Sequence, residues 1–144
     1  MKKQLLSLSI IGLSMMSILN PSMAANSLSG TDWKLLSWGE EKSPQTLLKD
    51  TEITLQFQED QISGSSGCNR YFASYTLEDD QLKFGVAGRT QMACPEDIMK
   101  QEDQFLSALE RSQNFQINSE GQLQITYKTE QESGVMIFTP NQPE

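Results

Sequence analysis

Few side chains in this chain could carry chemistry. Two cysteines, Cys68 and Cys94, lie in the runs Gly67-Cys68-Asn69-Arg70-Tyr71 and Thr90-Gln91-Met92-Ala93-Cys94-Pro95. Histidine is absent from the sequence, which removes the commonest general base and with it Ser-His-Asp and Cys-His arrangements. Carboxylate pairs at Asp79-Asp80, Glu40-Glu41 and Glu59-Asp60 have the composition for acid/base or calcium work. Each falls in a predicted turn, however, where a solvated charge is the ordinary outcome. The expectation is therefore a protein that is not an enzyme, with no catalytic residue, no cofactor and no metal site.

The cysteines admit three readings: a disulfide, two separately buried thiols, or part of a metal site. Zinc would lack a full tetrahedral N/S set, because two Cys are the only such ligands present. A Cys68–Cys94 bond would close a loop of about 27 residues and constrain the unfolded chain by roughly 3.5 kcal/mol.

Glu102 is the carboxylate that solvation does not explain. It falls within the apolar stripe formed by Ile98, Phe105, Leu106 and Leu109 at helical spacing. A buried, unpaired carboxylate is costly, so Glu102 requires a cation or hydrogen-bond donors, for which Arg89 and Arg70 are the candidates. A polar latch tying helix to sheet and a catalytic acid are the two roles open to it. Trp33, Trp38, Tyr71, Phe72 and Met92 are candidates to line a ligand cleft, or else to form core and rim.

The elements that must position these groups are legible from periodicity. Ile53, Leu55 and Phe57 alternate with polar residues, as do Tyr71, Tyr75 and Leu77, Leu82 and Phe84, and Leu123, Ile125 and Tyr127, which is the pattern of half-buried strands. Trp33 to Trp38 suggests a first strand, and Glu40 to Asp50 reads as a polar loop punctuated by Pro44. Val135-Met136-Ile137-Phe138 is apolar on both faces and reads as a covered strand. Pro95 opens the single helical pattern, with Glu96 and Asp97 at the positive end of its dipole and an end near Arg111. The fold class expected is α+β, mainly β: an antiparallel meander forming a half-open barrel packed on one α-helix.

At the N-terminus, Met1-Lys2-Lys3, an apolar stretch from Leu5 to Leu19, and the small residues Ser22 and Ala24 have the form of a cleaved signal peptide over 1–24. The apolar stretch is shorter than the roughly 20 residues a membrane span needs. No cysteine adjoins the cleavage site for lipid attachment, so a periplasmic or secreted protein with one domain over 25–144 is expected. The formal net charge of -8 disfavours nucleic acid and anionic lipid as partners.

Beyond these readings, Gly30-Thr31-Asp32-Trp33-Lys34-Leu35, the two cysteine runs at their separation, and the helix bearing Glu102, Phe105, Leu106 and Leu109 resemble the META domain family of HslJ-like proteins. The likeness extends over most of the chain after the leader. Two positions depart from the family pattern. Ala73 stands where Gly is usual in Cys-Asn-Arg-Tyr-x-Gly-x-Tyr, and Gln91 where Arg is frequent, so any arginine partner of Glu102 must come from elsewhere. The resemblance implies a small β-rich domain with one helix, similar to the cracked barrel of secretion pilot proteins that bind lipid or a partner's tail. It also implies an association with heat or envelope stress and no established enzymatic activity. The function expected is an exported, stress-associated binding domain that takes a small apolar ligand or a segment of an envelope protein between sheet and helix. The alternative is an acidic inhibitor or interaction module for a cationic envelope enzyme.

Overall fold

The computed structural model describes residues 27–142; the expected signal peptide and its cleavage site lie outside the described residues. Ten strands and one helix follow in the order β1 (Asp32–Glu40), β2 (Ser43–Thr46), β3 (Thr54–Gln58), β4 (Gln61–Ser65), β5 (Arg70–Glu78), β6 (Gln81–Phe84), β7 (Gly88–Arg89), α1 (Glu96–Glu110), β8 (Ser112–Ile117), β9 (Leu123–Lys128) and β10 (Ser133–Pro140). All pairings are antiparallel, and eight of the strands close a ring in the order β1, β3, β4, β5, β6, β8, β9, β10 and back to β1. The mainly β class is as expected, but the barrel is closed rather than half-open. Closure comes from β10, which returns to the first strand with Trp33 opposite Pro140 and Leu35 opposite Phe138. Sequence pattern reports strands, not which distant pair seals a ring.

The ring is not equally strong all round. Between β6 and β8 a single position pairs, Gln81 with Asn114, supported by the Phe115 N–H donating to the Asp80 carbonyl at 2.9 Å. The Glu110 carboxylate accepts from the Ala87 N–H at 2.9 Å, which ties the C-terminal turn of α1 to the connection after β6. Period-two alternation fills the barrel: Leu55, Phe57, Ile62, Tyr71, Leu82, Leu123, Ile125, Met136 and Phe138 are all at most 1 % exposed.

Helix α1 lies across the barrel end defined by the β4–β5 turn and the loop before β3. It contributes Phe105, Leu106 and Leu109 to the core, each worth about 1.5–3 kcal/mol of burial, and Phe105 meets Tyr71 edge to face at 5.5 Å. Among the described residues no helix is long and apolar enough to cross a membrane.

The polar stretch after β1 contains β2, which pairs with β1 from Ser37–Thr46 to Glu40–Ser43, where the sequence suggested only a loop. Pro44 is tolerated there because β2 has β1 as its sole partner and lies at a sheet margin, where the missing N–H leaves no ladder bond unmade. Ala73, at the position that is usually Gly, sits within regular β5, buried and paired with Ile62. Its φ is not positive, so no left-handed turn exists for glycine to serve.

Candidate functional site

The helix-covered end of the barrel and the outer face of β8, β9 and β10 each gather polar groups. At the helix-covered end, Glu102 is fully buried and faces the β4–β5 turn. Gly67, at φ 114°, gives that turn the left-handed conformation. The turn aims the backbone N–H groups of Cys68 and Asn69 at Glu102 Oε2, at 3.1 and 2.7 Å. The Ser66 hydroxyl donates to the same oxygen at 2.7 Å, and Asn69 Nδ2 donates to Oε1 at 2.7 Å. Arg89 adds a fifth donor at 3.2 Å while holding Asp103 at 2.6 Å.

Burial alone would raise the pKa of Glu102. The donors from Asn69, Ser66 and Cys68 outweigh it and hold the carboxyl below the usual glutamate range. Asn69 extends the network, its Oδ1 accepting from the Met92 N–H at 2.6 Å and the Thr90 hydroxyl at 3.0 Å. Cys68 and Cys94 form a disulfide with Cα atoms 6.2 Å apart, so the turn, the 90–95 segment and the start of α1 are joined covalently as well. Of the two arginines considered for Glu102, Arg89 bonds to it and Arg70 does not. Arg70 is exposed at the start of β5, and its N–H donates to the Thr90 hydroxyl at 3.2 Å.

The five residues considered for a ligand cleft are not brought together. Trp33, Trp38 and Tyr71 are buried in the core, whereas Phe72 is 60 % and Met92 54 % exposed. Successive strand residues point to opposite faces, so Tyr71 and Phe72 cannot line one cleft. Phe72 instead lies over Gly88 of β7, where a side chain at residue 88 would collide with its ring.

A recess with apolar lining is on the outer face, which the sequence reading did not single out. A groove of about 380 Å³ runs over β10, β9 and β8, with Val135 and Ile137 in its floor and Pro44 of the β1–β2 hairpin also lining it. Gln124 and Thr126 continue the floor. Glu40 and Glu41 stand at the hairpin side and Asp80 at the far side, beyond β8. Among the described residues no lysine or arginine lines the groove, and none of these three carboxylates forms a salt bridge. The signal in the sequence was the two-sided apolar run at 135–138. Met136 and Phe138 fill the core, while Val135 and Ile137 face outward and are only half-buried.

A closed antiparallel barrel capped by one disulfide-anchored helix defines a class of small, mainly β domains. The chain belongs to the META domain family, whose sequence profile matches residues 26–142. Among solved structures it is similar to an NMR structure of a protein from Burkholderia xenovorans, with 26 % identity and a TM-score of 0.67, covering 99 % of this chain and 100 % of that one. A DUF4847 family protein from Bacteroides vulgatus, at 12 % identity and TM-score 0.54, covers 81 % of this chain and 96 % of its own, and shares the fold. No curated protein matches.

Proposed function

We propose that this META-domain chain is an exported, stress-associated binding domain without enzymatic activity, which recognises a partner segment on the outer face of its barrel. The observation that carries this reading is the groove over β8–β10, where half-buried Val135 and Ile137 lie between the carboxylates of Glu40, Glu41 and Asp80, which form no salt bridge among the described residues. The barrel interior is filled by aromatic and aliphatic side chains, which favours the outer groove over an internal ligand. Export is supported by the form of residues 1–24 and by a disulfide of the kind that persists in oxidising compartments. A non-enzymatic role is supported by Glu102: its oxygens are occupied by donors and its pKa is lowered, the opposite of what a general acid requires. The second reading, an acidic module for a cationic envelope enzyme, draws on the carboxylates at the groove rim.

Two measurements test the proposal. Cell fractionation should find a mature chain beginning near Ala25 in the envelope; a full-length chain retained in the cytosol overturns export. Amide shifts recorded while envelope-derived peptides are added should move Gln124, Thr126, Val135 and Ile137. Shifts confined to Arg89–Met99 would instead place the site at the helix-covered end.

A further inference from the structure

We infer that the occupant of the outer groove is an extended polypeptide segment with two basic residues bracketing an apolar one, laid across the strands from the β1–β2 hairpin to Asp80. The inference rests on the binding reading above and adds the chemistry and length of the ligand. The groove's acids do not form one cluster. Glu40 and Glu41 flank it beyond β10, and Asp80 flanks it beyond β8, while the apolar floor of Val135 and Ile137 lies between. A cation at each end and an aliphatic side chain between them complement that order, and any anionic or purely apolar ligand leaves the rim without a counter-charge.

The ring order sets the length. From β1 through β10, β9 and β8 to β6 is four strand-to-strand steps, or roughly 19 Å at ~4.8 Å each. An extended chain rises ~3.3 Å per residue, so the basic residues stand about six apart, as at the two ends of a heptapeptide. Lysine and arginine stems take up the difference made by barrel curvature. A second copy of this chain fits poorly, because the net charge of -8 opposes self-association.

The test uses fluorescently labelled synthetic heptapeptides with Leu and Val in the middle and Lys, Ser or Glu at both ends, titrated into the mature protein. The Lys-ended peptide is expected to bind, and the Glu-ended one not. The combined variant Glu40→Gln, Glu41→Gln, Asp80→Asn should weaken binding about tenfold at low salt, an effect that fades above about 0.15 M salt. Placing both Lys at one end should also weaken it. Near-UV circular dichroism verifies that each variant is folded. Equal binding of the Ser-ended peptide, with no change in the rim variant, overturns the basic occupant but leaves the groove reading standing if Val135→Ser with Ile137→Ser abolishes binding. Binding indifferent to both rim and floor variants overturns the groove itself. Failure of the Lys-ended peptide to bind, or a dimer in sedimentation that the floor variant dissolves, overturns the inference.

Discussion

The helix-covered end and the outer face of β8–β10 both hold carboxylates, and the two regions treat them in opposite ways. Glu102 is enclosed and met by five donors from Ser66, Cys68, Asn69 and Arg89. Glu40, Glu41 and Asp80 are exposed, form no salt bridge among the described residues, and are arranged around a half-buried apolar floor. A carboxylate whose oxygens are occupied by its own chain acts in folding. One left without a partner beside an apolar floor is available to another molecule.

The sharpest way to break this contrast is to move a neutral side chain into each region. Glu102→Ala leaves the Asn69, Cys68 and Ser66 donors without a buried acceptor and should cost about 3–5 kcal/mol, read as a drop in thermal melting of at least ~10 °C. An unchanged melting temperature would show that the network is solvated and the contrast false. Next in size, Cys68→Ser with Cys94→Ser should lose about 2–4 kcal/mol, measured by urea unfolding of the double variant against the oxidised protein.

Acid should reveal the same asymmetry through linkage. The folded pKa of Glu102 is lowered, so its contribution is complete above the ordinary glutamate value of about 4.3 and is lost as pH falls through the folded value. The stability gap between the parent protein and Glu102→Gln should therefore narrow on acidification below that range. A gap that widens instead would reverse the sign assigned to the hydrogen bonds. The smallest effect is expected on the other side of the comparison: the combined rim variant should melt within about 2 °C of the parent. A large loss there would mean that the rim acids, too, are structural.

How much of this was legible beforehand follows from the range of the interactions. The stripe Ile98, Phe105, Leu106 and Leu109 located α1, and its misfit Glu102 marked the network, because both signals are local. The first cysteine run contained the turn that supplies its donors. What escaped depends on distant pairing. Closure of β10 on β1 joins residues at opposite ends of the described chain, and the β1–β2 hairpin was hidden by Pro44 and an all-polar strand. The groove assembles from β8, β9, β10, a hairpin and the β5–β6 turn, so no one stretch of sequence could display it. The split of Tyr71 from Phe72 was, by contrast, within reach of strand alternation alone.

The thin joint between β6 and β8 gives the barrel a place at which to breathe. With one paired position on that seam against four between β1 and β10, fewer ladder bonds hold it, and local opening is expected there first. A segment reaching from the hairpin to Asp80 would cross the joint like a strap across a clasp. Such binding would thermodynamically link occupancy outside the barrel to protection of the amides of Leu82 and Phe84 from hydrogen exchange, and would make a surface site a control on how readily the ring opens.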